Sequence, residues 1–168
     1  MTYRSAKEMR VLGIAPSSRG FGFAVLEGDN LVEWGVRTAK RENKNSKLLA
    51  KVKDLLTMCQ PEAIILEDIS PPVRRASRIR DLHTEIIEAA RTERIKSVIL
   101  PRRKVREAIV SDESGTKQDV AEMLAKRFPE ELGAHLPRKR KAWMSESHQM
   151  AMFDAVALVF TFRLKQKK

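Results

Sequence analysis

Only one of the 168 residues is a cysteine, so Cys59 has no partner for an internal disulfide and the fold must hold by packing. A reducing compartment suits such a chain, and the cytoplasm is the expected location. Cys59 lies in an apolar helical stretch and reads as a core residue, not a reactive thiol. Aromatic residues are scarce, at 5%, which argues against extensive base stacking. Long hydrophobic runs are missing too. The longest, Ala155–Phe162, is interrupted by Thr161 and closed by Arg163, too short to span a bilayer. Met1–Arg10 is polar and does not read as a targeting segment. Negative charge is the last shortage: 22 Asp and Glu face 33 Lys and Arg, a net charge of +11. A soluble protein with that excess attracts polyanions, of which DNA and RNA are the commonest. Solubility or ribosome association is the plainer reading of the same charge.

What is present is enough for one domain. An apolar fraction of 42% can build a core over this length. A single domain over residues 1–168 is expected, with 1–9 and 165–168 as flexible tails. Three short apolar segments, Val11–Ala15, Phe21–Leu26 and Leu31–Val36, are separated by turn residues and predict an antiparallel meander. From Ser46, a candidate cap, the period changes. Leu48, Leu49, Val52, Leu55 and Leu56 share one side of a helix that Pro61 ends. Ala63–Leu66 is continuously apolar, the mark of a strand buried on both faces. A helix over about Ile79–Arg94, a strand at Ser97–Leu100, a short helix at Lys104–Val110 and a helix at Thr116–Phe128 follow. Thr116 and Asp119 form a capping-box-like pair. Pro129–Trp143 reads as a loop and about Ser147–Leu164 as a last helix. A meander followed by strand–helix–strand crossovers gives an α/β fold, a mixed sheet with helices on both faces.

Two carboxylates stand out. Glu67 ends the buried strand Ala63–Leu66, and Asp154 interrupts an apolar helix between Met150 and Leu158. An acid in such surroundings must be paired, hydrogen-bonded or bound to a metal. None of Met150, Ala151, Ala157 and Leu158, one turn away, can pair with Asp154. A Mg²⁺ shared between Glu67 and Asp154 would serve. Separate bonds to Lys or Arg would serve equally. The turn Ser17-Ser18-Arg19-Gly20 is a candidate phosphate cradle, although folds that use one in that way need two such domains and a longer chain.

Several segments together resemble one family. Val11-Leu12-Gly13-Ile14-Ala15-Pro16-Ser17-Ser18-Arg19-Gly20-Phe21-Gly22, Ile64-Ile65-Leu66-Glu67, Pro101 with Lys104-Val105, Gly115-Thr116-Lys117 with Val120, and Phe153-Asp154-Ala155-Val156-Ala157-Leu158 occur in this order. They resemble the RuvC-type Holliday-junction endonucleases. The resemblance implies an RNase H-like five-stranded sheet of order 3-2-1-4-5, with Ala15 beside Glu67. It also implies Glu67 and Asp154 as catalytic metal ligands, Lys117 near the scissile phosphate, Mg²⁺ or Mn²⁺ as cofactor, and a homodimer on branched DNA, with the Ile79–Arg94 helix as a candidate interface. The sequence departs from the family at two ligand positions. Ala15 stands where the first acid is expected, and Ala151 where a further acid or imidazole is. A methyl group cannot coordinate a cation. Asp68, Ser17, Glu146 and His148 are nearby replacements, but Asp68 should face away from Glu67 and His148 reads as a surface residue.

Basic residues cluster around the same strand ends. Arg74, Arg75, Arg78 and Arg80 follow Glu67. Arg102, Arg103, Lys104 and Arg106 follow the fifth strand. Arg138, Lys139, Arg140 and Lys141 precede the last helix. With Lys117 they form the expected nucleic-acid surface. Trp143 reads first as a hydrophobic anchor for its loop and second as a base-stacking group. Lys165, Lys167 and Lys168 read as a solvated tail. Three functions follow: a branched-DNA binder with impaired nuclease chemistry, a working Mg²⁺-dependent junction endonuclease, or an RNA-processing or ribosome-associated relative. No membrane partner is expected.

Overall fold

The computed structural model describes residues 9–167 except 72, 112–114, 142 and 145. Residues 1–8 and 168 of the expected tails lie outside that set. The meander is there: β1 (Arg10–Pro16), β2 (Gly20–Glu27) and β3 (Asn30–Thr38) pair antiparallel. Then come α1 (Lys44–Cys59), β4 (Ala63–Glu67), α2 (Ser77–Thr92) and β5 (Lys96–Leu100). Both β4 pairings, with β1 and with β5, are parallel. The sheet order is β3-β2-β1-β4-β5, as expected for an RNase H-like fold. The helices α3 (Arg102–Val110), α4 (Lys117–Arg127), α5 (Pro129–Leu132) and α6 (Met150–Gln166) complete the chain.

Side-chain alternation along β1 sorts the core into two layers. Leu12 and Ile14 join Leu48, Val52, Leu82 and Ile86 of α1 and α2 on one face. Val11 and Ala15 join Val105, Val120, Leu124, Phe153 and Val156 of α3, α4 and α6 on the other. β4 serves both layers, with Ile64 and Leu66 on the first face and Ala63 and Ile65 on the second. Its unbroken apolar run is the consequence.

Helix α6 is apolar nearly all round because it packs centrally over β1 and β2. Its approach is close. A methyl built on Gly13 would lie 2.5 Å from the Ala155 carbonyl oxygen, and one on Gly22 would overlap the Ala151 backbone. Gly13 pairs with Ala24 and Ala15 with Gly22 across β1 and β2, so four small residues form the trough in which α6 sits.

Several expected boundaries shift. Helix α1 begins at Lys44, so Ser46 lies inside it. Its N-cap Asn43 is left-handed (φ 51°) and makes no side-chain cap bond, which hid the start from capping rules. Helix α2 begins two residues before Ile79 and ends at Thr92. Helix α3 starts directly after Pro101. Pro129–Trp143 is not loop throughout. Pro129 opens the short α5, with Glu130 and Glu131 in its first turn, and a 3-10 turn over Gly133–His135 follows. Helix α6 starts at Met150 and runs on to Gln166. Residues 165 and 166 are thus helical, and Lys167 pairs with Asp29 at 2.8 Å. Arg163 donates to the same carboxylate at 3.0 Å. Lys167 and Arg163 together hold the Asp29 pKa down at about 2. Met9 packs on the core, and its carbonyl accepts from Gly28 N–H at 3.1 Å. Among the described residues, no helix is long and apolar enough to cross a membrane. Cys59 is buried.

Candidate functional site

The parallel pairing of β1 with β4 runs Val11–Ala63, Leu12–Ile64 and Gly13–Ile65. Carried forward with the same offset, it brings Ala15 level with Glu67. Chains diverge at this point, β1 toward its hairpin and β4 toward α2, and such divergence opens a crevice at the strand ends. A cleft of about 310 Å³ lies here, lined by Ala15, Glu67, Ala151 and Asp154, by Arg75, Arg102, Arg106 and Lys117, and by Glu146 and His148. The two carboxylates singled out from sequence, Glu67 at the end of β4 and Asp154 on α6, both line this cleft.

Both acids are paired within the chain. Arg75 Nη2 donates to Glu67 Oε2 at 2.7 Å, and Arg102 Nε donates to Glu67 Oε1 at 2.8 Å. Each oxygen of Glu67 thus has its own guanidinium. The register explains how. Glu67 pairs with Leu100 at the end of β5, so Arg102, two residues later, starts beside it. Lys117, in the first turn of α4, reaches Asp154 Oδ2 at 3.3 Å and Glu146 Oε1 at 3.2 Å. Three carboxylates and three cations interleave along the cleft. Of the two alternatives open for these acids, the structure shows bonds to Lys and Arg.

The electrostatics of Asp154 follow. Desolvation pushes its pKa up from 3.8 to about 6; Lys117 opposes the rise, while Glu146 and Glu67 add to it. Between about pH 4 and 6 the folded chain then binds more protons at Asp154 than the unfolded chain does. This group's contribution is most favourable below about pH 4 and weakens as pH rises to about 6. The side chain is 35% exposed, so solvent screening reduces the effect to about 1 kcal/mol. Melting temperatures of Asp154→Asn measured from pH 4 to 8 should lack that decline. An unchanged decline would assign it to another group.

A divalent cation at this point, which the family resemblance implies, does not fit the donors present. Glu67 has both oxygens engaged, Asp154 is paired with Lys117, and Ala15 and Ala151 offer no lone pair. Among the described residues, no three His, Cys, Asp or Glu side chains are grouped to share an ion. The replacements considered from sequence do not fill the gap. Asp68 turns aside to accept from Ser70 N–H at 2.9 Å and Ser70 Oγ–H at 2.6 Å, and these bonds lower its pKa. Ser17 Oγ accepts from Gly20 N–H at 3.3 Å inside the hairpin turn. Glu146 is held by Lys117. His148 is an exposed cleft-lining residue. In the candidate phosphate cradle, Ser17 N–H donates to Gly20 O at 2.8 Å, and the Ser17 and Ser18 carbonyls accept from Arg78.

The basic residues divide by what they touch. Arg75, Arg102, Arg106 and Lys117 line the cleft. Arg74, Arg103, Lys104, Arg138, Lys139, Arg140 and Lys141 are exposed around it and in the loop before α6. Arg78 and Arg80 brace the cleft wall instead. Arg78 bridges Asn45 (3.0 Å) and the hairpin carbonyl of Ser17 (2.9 Å), while Arg80 holds the carbonyls of Ile69 and Val73. His83, which sequence reasoning missed, is buried beneath Glu67 with Nε2 3.0 Å from its carbonyl oxygen. The signal was a histidine on the apolar stripe of Leu82 and Ile86. Trp143 is 78% exposed, which corrects its reading as a loop anchor.

Sheet order, helices on both faces and a cleft at the β1–β4 divergence define an RNase H-like α/β domain. Among solved structures the chain is similar to RuvC of Thermus thermophilus, at TM-score 0.68 and 19% identity over 95% of this chain and 96% of that one. It is likewise similar to T. thermophilus RuvC in complex with a Holliday junction substrate, at TM-score 0.70 and 20% identity over 95% of each chain. At such identity the likeness is one of fold. No protein-family model and no curated protein matches the sequence.

Proposed function

We propose that this chain is a RuvC-like protein that binds branched DNA of the four-way-junction type through the basic rim of its cleft, without metal-dependent cutting. The observation that carries the reading is Glu67 held by Arg75 and Arg102 in a cleft where Ala15 and Ala151 supply no further ligand. Two-metal hydrolysis needs open carboxylates to position ions that activate water and stabilise the leaving oxygen. Here side-chain cations neutralise the acids that would otherwise repel a phosphodiester. The net charge of +11 and the exposed Arg and Lys groups suit phosphate contacts, and the fold shared with a junction-bound RuvC supports the choice of partner. Two copies per junction would match its symmetry.

A labelled four-way junction should be retained equally with EDTA and with Mg²⁺ or Mn²⁺, more tightly than blunt duplex or structured RNA, and uncut. With six or more phosphate contacts, affinity should fall roughly 10³-fold between 50 and 200 mM salt. Cleavage that Glu67→Ala abolishes would establish the active endonuclease instead. Clear preference for RNA would favour a role in RNA processing or on the ribosome. Sedimentation with and without the junction tests the pairing of copies.

A further inference from the structure

We infer that Trp143 is a stacking platform for one unpaired nucleobase, an inference that rests on the nucleic-acid reading and deepens it. The large aromatic side chains Phe21, Phe23, Phe128 and Phe153 are buried, and the other tryptophan, Trp34, packs partly against the core. Trp143 alone among the described aromatics is largely in water, at 78% exposure. Burying such a ring is favourable, and this fold leaves that gain unused. Its one ring contact among the described residues is the Lys141 ammonium, 5.9 Å from the ring.

The surroundings select the occupant. Arg138, Lys139, Arg140 and Lys141 are all exposed just before it. From Gly133 to Ser145 the sequence has no acidic residue. Three residues beyond Trp143 the chain enters the cleft lining at Glu146, Ser147 and His148, about 11 Å away at most. A flat apolar face amid cations beside a cleft suits a partner that joins phosphate charge to π faces. A nucleobase on a sugar-phosphate chain is that partner. In a paired duplex both faces of each internal base are already stacked, so the indole can accept only a base that is unpaired, in a single strand or at a branch point. Cation–π attraction from Lys141 keeps one ring face oriented and leaves the other open.

The test uses the full chain with oligothymidylate and a blunt duplex of equal length at one salt concentration. In a Trp34→Phe background Trp143 is the sole tryptophan, and its selectively excited fluorescence should be quenched by the single strand and not by the duplex. Trp143→Ala should weaken single-strand binding about 5- to 100-fold, leave duplex affinity within about twofold, and keep the salt slope; this arm needs no change at Trp34. Trp143→Phe should retain most of the affinity. Single-strand binding without quenching or without loss in Trp143→Ala would overturn the stacking role alone, as would equal quenching by duplex. Failure to bind single strand, duplex and junction alike would instead remove the nucleic-acid reading and the stacking with it.

Discussion

Gly22→Ala should lower the melting temperature by about 10 °C, because its methyl meets backbone and not a side chain that can swing away. The overlapping atoms are the Ala151 carbonyl and the Met152 nitrogen of α6. Helix α6 would have to lift from β2, breaking its seat in the Gly13, Ala15, Gly22 and Ala24 trough. Overpacking typically costs about 1–3 kcal/mol and more where the backbone must shift. For a chain of this size each kcal/mol moves the midpoint by about 2–4 °C. Two controls separate this cause from a general intolerance of glycine replacement. Gly35→Ala would place its methyl 3.1 Å from the Phe23 ring edge, a neighbour able to yield, and should lose less than about 1 kcal/mol. Gly133→Ala meets nothing within 4 Å and should be neutral or gain up to about 1 kcal/mol by stiffening the unfolded chain. Because Asp154 rides on α6, Gly22→Ala should also disturb the cleft and weaken junction binding. A midpoint for Gly22→Ala within about 2 °C of the parent would mean that α6 is not seated so closely.

The same trough shows what could be read in advance. Strands were legible because β1, β2 and β4 are runs of apolar residues bounded by turn chemistry, and the order β3-β2-β1-β4-β5 was implied by the family resemblance. Residue spacing alone left the neighbours of β1 open. Helix α5 and the start of α1 were missed for local reasons: four residues are too few for periodicity, and Asn43 makes no side-chain cap bond. At the site, Glu67 and Asp154 announced themselves as carboxylates in apolar surroundings, a cost any fold must offset. Their partners did not. Arg75 and Arg102 were counted with Arg74 and Arg103 as phosphate contacts, since a long flexible side chain reaches different groups depending on strand register. Knowing that Glu67 pairs with Leu100 turns Arg102 from a rim residue into a neighbour of Glu67. Trp143 was misjudged because burial is the usual fate of an indole, and nothing in the residue order shows that its loop stays outside the core.

The clamp on Glu67 has a consequence for repair of the cleft. Ala15→Asp alone should give no gain in Mn²⁺ affinity, whereas Ala15→Asp combined with Arg75→Ala and Arg102→Ala should bind Mn²⁺ at least about tenfold more tightly than the parent, a difference of about 1.4 kcal/mol. A carboxylate added beside Glu67 enters a cleft that Arg75 and Arg102 already line, and a guanidinium keeps further N–H donors suited to bidentate contact. Removing both arginines frees the two oxygens of Glu67, which is only 22% exposed. An uncompensated carboxylate so placed is destabilising by several kcal/mol, so the triple variant should melt lower than the parent without metal and recover on adding Mn²⁺. Calorimetric titration reads the affinity, and the metal-dependent rise in melting temperature reads it again in case the metal-free form is only marginally folded. Equal gains in the single and triple variants would show that the arginines do not block the cation. No gain in either would separate Ala15 from Glu67 in space, contrary to the β1–β4 register. The tenfold rise in the triple variant alone would show that the Arg75 and Arg102 guanidinium groups keep a cation from the site that Ala15→Asp adds to.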